Sequence, residues 1–217
     1  MRFQDREQAG QELSRKLRRY AHQPDVIILA LPRGGVPVAY EIAMALNAPL
    51  DILNVRKLGV PEHEELAMGA ITTGDVVVIN HDIVRHEDVS DEAIDEVIQA
   101  ESIELARREA LYREGRPAPD LYDKTVLLVD DGLATGATMW AAVNGVRQQQ
   151  PAKIVIAVPS ASPSACAQFE AEVDEIVCLI TPHQFVSVGA WYEDFPQTSD
   201  AEVRRLLKQA EERIVAG

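Results

Sequence analysis

Residues 126–138 read VLLVDDGLATGAT. Four aliphatic residues run into two adjacent aspartates, Asp130 and Asp131. The chain then keeps almost entirely to glycine, alanine and threonine. A continuous apolar run suits a strand buried on both faces of a parallel sheet. The glycines let the backbone approach a ligand closely, and a following helix offers free amides and a partial positive charge. Thr135 and Thr138 add hydroxyl donors, so the loop suits a phosphate monoester. Asp130 and Asp131 accept hydrogen bonds and suit vicinal hydroxyls such as those of a ribose. A phosphate cradle beside two diol acceptors describes a site for ribose 5-phosphate. Other openings of this kind fit less well. The stretch lacks the GK[ST] of a nucleotide-binding P-loop. An acidic receiver pocket would open its domain, whereas here more than half the chain comes first.

Outward from this stretch, strand and helix patterns alternate. Helices are expected over Asp5–Tyr20 with Asp5 as N-cap, over Val36–Leu46 with Pro37 in the first turn, and over Val89–Arg116 capped by Ser90 or Asp91. Three more follow: the one opening at GATMW, a short one at SACAQFEAE, and a closing helix from Ser199 to about Ile214. Strands are expected at DVIILAL (Asp25–Leu31), PLDILNVRK, GAIT, DVVVIN, VLLVDD, KIVIAV and EIVCLI. The polar stretch LGVPEHEELAMG reads as a loop. Such alternation predicts an α/β fold with a mostly parallel central sheet flanked by helices and right-handed crossovers. Ligands in such sheets bind at the carboxyl ends of the strands. Three unusual loops leave those ends: LPRGG (Leu31–Gly35), VRKLGVPEHEELAMGAI and DDGLATGAT. They should converge on one site.

The chain of 217 residues carries a formal net charge of −14, with 47% hydrophobic and 26% charged residues. A surface so acidic repels phosphate backbones, which disfavours nucleic-acid binding, although a local cluster of cations and amides still accommodates a small anion. Its apolar runs are strand-sized, so no membrane span is expected. The opening MRFQDREQAGQELSRKL is amphipathic and lacks the apolar core of a secretory signal, which predicts a cytoplasmic protein. Cys166 and Cys178 form no CxxC pair and read as two buried thiols in a reducing compartment. His81 and His86 have no metal-ligand spacing and read as part of a polar loop. The serines of PSASPSA lack a nucleophile elbow and read as a turn and helix cap.

The thirteen residues 126–138 resemble, at every position, the phosphoribosyl-pyrophosphate signature of type I phosphoribosyltransferases. In that family the acids contact the ribose hydroxyls, and the loop with its threonines binds the 5-phosphate. The resemblance therefore implies the first role for Asp130 and Asp131. It implies the second for Gly132, Leu133, Ala134, Thr135, Gly136, Ala137 and Thr138. LPRGG resembles the family's pyrophosphate loop, implicating Arg33, Gly34 and Gly35 and a cis non-proline peptide at Arg33, with Gly34 as its partner. The third loop takes the place of the family's flexible catalytic loop. Arg56 and Lys57 would there neutralise departing pyrophosphate, and His63, Glu64 and Glu65 either act on the substrate or are solvated. Arg33, Lys57, Asp130 and Asp131 are the expected catalytic set. Mg²⁺ is the expected cofactor, held mainly through the ligand with Asp130 and Asp131 as possible protein contacts.

LPRGGVPVA, RKLG, ELAMGAI, DDGLATGATM and WYEDFPQTSD together resemble a bacterial group of phosphoribosyltransferases with unassigned acceptors. The resemblance implies one domain over residues 1–217. It would carry a helical insert at 80–120 and a small C-terminal hood at 181–217. Transfer from phosphoribosyl pyrophosphate to a nitrogenous base or amine is the implied reaction. The alternative is a regulator that keeps the fold and binds this ligand or a nucleotide without turnover. In 6-oxopurine members an aspartate two residues before the loop's last glycine contacts the purine, and here that place is Ala134. The acceptor is expected against Phe185, Trp191, Tyr192 and Phe195, where aromatic faces stack a flat base or else fill a core. The long helix at 89–116 offers a surface for a homodimer.

Overall fold

The computed structural model describes the backbone of residues 2–216 and the side chains of all of these except 64, 65 and 214–216. Five parallel strands form the central sheet: β1 (Val26–Ala30), β2 (Leu50–Ile52), β6 (Thr125–Val129), β7 (Lys153–Ser160) and β8 (Glu175–Ile180). Their order is β2-β1-β6-β7-β8. Both faces are buried, which is why these strands read as unbroken apolar runs rather than alternating ones. Along β1, Val26, Ile28 and Ala30 point into one core layer, while Ile27 and Leu29 point into the other. The first layer is completed by α1 (Arg6–Lys16), α2 (Gly35–Leu46) and α7 (Asp200–Ala216), through Leu13, Leu17, Ile42 and Leu206. The second is completed by α5 (Ala137–Gln148) and α6 (Pro163–Glu170), through Met139, Val143 and Phe169.

Capping residues set the helix starts where the sequence placed them. The Asp5 carboxylate accepts from the Gln8 amide at 2.8 Å, and the Ser90 hydroxyl from the Ala93 amide at 3.2 Å. The first helix ends earlier than its pattern suggested, since Arg18–Tyr20 tighten into a 3₁₀ turn. The long helix is α4 (Asp91–Arg113), preceded by a short helix α3 (His81–His86) where a polar loop was expected. Asn80 accounts for α3, because its side-chain oxygen caps the amides of Asp82 and Ile83.

The larger departure lies between residues 50 and 79. PLDILNVRK is not one strand. β2 ends at Ile52, the chain crosses at Leu53–Asn54, and β3 (Val55–Val60) joins a second sheet. The expected flexible loop is likewise an antiparallel pairing of β3 with β4 (His63–Thr72), and β4 then pairs with β5 (Val76–Ile79). The residues EHEEL look loop-like because their polar side chains mask any alternation. Of these, His63 pairs with Val60, and after register shifts at Leu58/Gly59 and Gly59/Val60 the ladder runs on from Ala67 opposite Gly59. One face of this sheet is sealed by α4: Leu58, Val60, Met68 and Ile71 pack with Leu105, Ile94, Val97 and Ile98. The α4 helix is thus the roof of a second, small core.

Arg113 fastens α4 to the central sheet. It is 4% exposed, donates to the Ile52 carbonyl at 2.9 Å and pairs with Asp51 at 3.3 Å. Removing one partner of a buried ion pair strands the other in a low-dielectric setting. Arg113→Ala should therefore cost about 3 kcal/mol of stability, read from the urea midpoint. A change within about 0.5 kcal/mol would show that Arg113 is not a structural tie.

Candidate functional site

β1 and β6 are neighbours, with Ala30 opposite Val129 and the Leu31 amide donating to the Val129 carbonyl at 2.9 Å. The loops that follow them therefore leave the sheet side by side. Their contact is tight enough to exclude a side chain. A Cβ added to Gly34 would lie 2.0 Å from Oδ2 of Asp131, and one on Gly35 would lie 2.6 Å from the Val129 carbonyl oxygen. Two glycines are thus required where PRGG abuts the aspartates. The loop contains a cis peptide, but between Pro32 and Arg33. The bond expected between Arg33 and Gly34 is therefore placed one residue earlier. The Arg33 guanidinium turns toward α7, with Nη1 3.7 Å from Oδ1 of Asp200. Tyr112 donates to that same oxygen at 2.5 Å.

The aspartates form one buried unit. The Asp131 amide donates to Oδ1 of Asp130 at 2.8 Å. Oδ2 of Asp131 receives Nε of Arg6 at 2.9 Å and lies 2.8 Å from Nη2. Arg6 is 9% exposed and fully engaged: Nη1 donates to the Pro196 carbonyl at 2.7 Å, and the guanidinium stacks 3.8 Å from the Phe195 ring centroid. Tyr192 donates its hydroxyl to the Asp131 carbonyl at 2.6 Å. Burial raises the pKa of both carboxyls; the Asp131 charge raises Asp130 further, and Arg6 pulls Asp131 part of the way back. The pair is short of positive charge and suits a cation or a set of hydroxyl donors.

Residues 130–139, with Val188, line a cavity of about 240 Å³. The loop is pinned from below by the turn after β7. The Leu133 amide donates to the Ser160 carbonyl at 2.8 Å, and the Ser162 hydroxyl donates to the Ala134 carbonyl at 2.7 Å. Ser162 also caps α6, so PSASPSA is a turn and helix cap. Gly136 has φ of 81°, a left-handed conformation that glycine adopts without penalty, and α5 begins just after it.

A second cleft of about 480 Å³ lies between the antiparallel sheet and α5. It brings Lys57, Asn80 and Trp140 together with Thr135 and Thr138, so Lys57 borders the outer side of the phosphate-type loop. Its neighbour Arg56 pairs instead with Glu101 of α4, Nη2 to Oε2 2.5 Å. His63 sits at the tip of the β3–β4 hairpin, 3.5 Å from Glu87. The side chains of Glu64 and Glu65 lie outside the described residues. Among the described residues no group of three or more His, Cys, Asp or Glu is arranged to hold a metal ion.

The aromatic segment divides in two. Tyr192 is 4% exposed and stacks on Phe195 at 4.8 Å, with Phe3 5.6 Å away, so its ring packs into a small core. Phe185 and Trp191 pair at 6.4 Å, and Val188 presses on Gly132, where an added Cβ would lie 2.5 Å from it. Arg6, Ser162 and Val188 were not among the expected site residues. Only the N-cap serine carried a signal in the sequence, as the residue before Pro163 in a capping position.

Arg6→Ala would leave Asp131 buried without its cation. The expected loss is about 3 kcal/mol in chemical denaturation, and a loss below about 0.5 kcal/mol would contradict the pairing. Asp130 gives a pH signature. Its folded pKa lies above the unfolded value, so its stabilising contribution is present below the unfolded carboxylate range and lost as pH rises through the raised value. Asp130→Asn escapes that loss. The ligand-free variant should melt above the wild type near neutral pH, and the gap should close on acidification. A gap that widens in acid would refute this.

Comparison with known proteins places the chain in a family. A family model described as "Phosphoribosyl transferase domain" matches residues 2–193. The "Putative phosphoribosyl transferase" of Mycobacterium tuberculosis strain H37Rv is 46% identical over 208 residues, covering 96% of this chain and 47% of the relative. The chain thus spans about half the length of the curated relatives it matches. The crystal structure of TT1426 from Thermus thermophilus superposes with a TM-score of 0.86 at 38% identity, covering 96% of this chain and 99% of that one. AQ2163 from Aquifex aeolicus shares the fold at 15% identity, with a TM-score of 0.52 and coverage of 93% and 85%. By its family match and these relatives, the chain belongs to the phosphoribosyl transferase domain family.

Proposed function

We propose that the chain is a transferase that takes phosphoribosyl pyrophosphate and joins its ribose to a nitrogenous base or amine, releasing pyrophosphate. The observation that carries this reading is the contact of the two glycine loops, with Gly34 and Gly35 seated against Asp131 and Asp130. One loop supplies amides for a pyrophosphate, the other a carboxylate pair followed by a small-residue cradle at the start of α5. The two loops leave adjacent strands, about 4.8 Å apart, so the groups they bind lie side by side.

In this reading Asp130 and Asp131 accept from the ribose hydroxyls, and residues 132–138 hold the 5-phosphate. Gly34 and Gly35 cradle the pyrophosphate. Arg33 and Lys57 are the cations assigned to it, Arg33 by leaving Asp200 and Lys57 from across the cleft. Arg56, tied to Glu101, contributes by holding β3. Displacement at the anomeric carbon places positive character on the ribose and negative charge on the leaving group, so fixed donors on the leaving side lower the barrier. Neither aspartate needs to take a proton.

The donor set also fits Mg²⁺: two buried carboxylates short of positive charge are hard oxygen ligands. Asp130 and Asp131 would hold it, and substrate oxygens would complete the shell. When bound, the ion supplies neutralisation of pyrophosphate. The acceptor lies between Val188, Phe185 and Trp191, with Tyr192 acting from beneath through Asp131. The helical region 80–120 roofs the second sheet as an insert within a single domain. No helix among the described residues is long and apolar enough to cross a membrane.

Titration calorimetry with phosphoribosyl pyrophosphate and Mg²⁺ tests the reading. Binding should occur, and Asp130→Asn combined with Asp131→Asn should weaken it at least tenfold, about 1.4 kcal/mol or more. Unchanged binding in that variant would sink the assignment. Pyrophosphate release across a panel of bases and amines then identifies the acceptor.

A further inference from the structure

Cys166 and Cys178 have no part in the chemistry above. One is on α6, the other on β8, yet their sulfurs are 3.3 Å apart. Both are free thiols and both are partly exposed. We propose that they form a reversible dithiol–disulfide couple, oxidised by a small peroxide, whose closure loosens the loop at residues 133–138. This goes beyond the transferase reading and does not depend on it.

The geometry favours closure. Forming the bond brings the sulfurs from 3.3 Å to about 2.05 Å, a shift that short or peripheral elements accommodate most readily. Both elements qualify: α6 has eight residues, and β8 is the edge strand of the central sheet. The mechanism is balanced with peroxide as oxidant. The Cys166 sulfur attacks one peroxide oxygen, an S–O bond forms, the O–O bond breaks, and hydroxide leaves as water. The Cys178 sulfur then attacks Cys166, the S–S bond forms, the S–O bond breaks, and a second water departs. Two thiols lose two electrons and two protons, and the peroxide takes up both. Burial and the adjacent Cys166 raise the pKa of Cys178 and make it the less reactive of the two toward peroxide, so it attacks second and passes its proton to the departing hydroxide.

Coupling to the loop runs through α6. Its cap, Ser162, donates to the Ala134 carbonyl at 2.7 Å. Phe169, one turn beyond Cys166, packs against Gly136, where an added Cβ would lie 2.8 Å from its Cε2. Drawing α6 toward β8 pulls on both contacts.

The test is hydrogen exchange on the full chain, reduced and after peroxide treatment, with peptide mapping by mass. The oxidised protein should lose two hydrogens in mass and show a Cys166–Cys178 crosslink. Amides of residues 133–138 should exchange several-fold faster, and dithiothreitol should restore both readings. Cys166→Ser and Cys178→Ser should each abolish the effect, while reversal by dithiothreitol serves as a control that needs no variant. Intermolecular crosslinks, over-oxidised monothiols, or a correct crosslink with unchanged exchange at 133–138 would each overturn the proposal. Exchange needs no bound substrate, so a failed transferase assignment would leave this result readable.

Discussion

Everything at the candidate site depends on a distance too short for a carbon atom. The backbone of Gly34 comes so close to the Asp131 carboxylate that an added Cβ would stand 2.0 Å from its oxygen. That approach is possible because β1 and β6 are hydrogen-bonded neighbours and the pairing extends past their ends to Leu31. Sheet pairing, a backbone property, thus sets the spacing between two loops that lie far apart in the sequence. Side chains decorate that spacing; they do not create it. Any larger residue at position 34 must displace either the carboxylate or the loop.

The second constraint is electrostatic. Two carboxylates at the end of a fully buried strand would not both ionise without help. Arg6 supplies part of that help, wedged between Asp131, Pro196 and the Phe195 ring. Since Arg6 opens the first helix and Phe195 follows the last strand, both ends of the fold are recruited to stabilise one carboxylate. Arg6 acts on Asp130 only weakly, and burial beside the Asp131 charge raises the pKa of Asp130.

Much of this could be read from the residues alone. VIILA and VLLV could only be strands buried on both faces, and the glycine and aspartate loops after them had to share an edge of the sheet. What stayed hidden has physical causes. Arg6 is 125 positions from Asp131, and on α1 it looks like one more solvated cation. The hairpin of β3 and β4 lacks apolar alternation over EHEEL, so its order comes from backbone pairing that no side-chain pattern reports. Tyr192 illustrates the third case. An aromatic residue in a loop is equally consistent with a base platform and a core plug, and only its burial and its bond to Asp131 decide.

Helix α5 begins at the phosphate-type loop, and farther along it Gly145 lies so close to β4 that an added Cβ would stand 2.4 Å from the Thr72 hydroxyl oxygen. One stiff rod is therefore the common datum for both sheets. Lys57 is referenced to the loop through this rod as well as through the two-residue crossing at Leu53–Asn54. The crossing itself is buried and bonded to Ala30 and Thr73, so length changes are absorbed more readily at the hairpin tip. A bulkier residue at 145 would tilt the whole second sheet like a shim under a hinge plate.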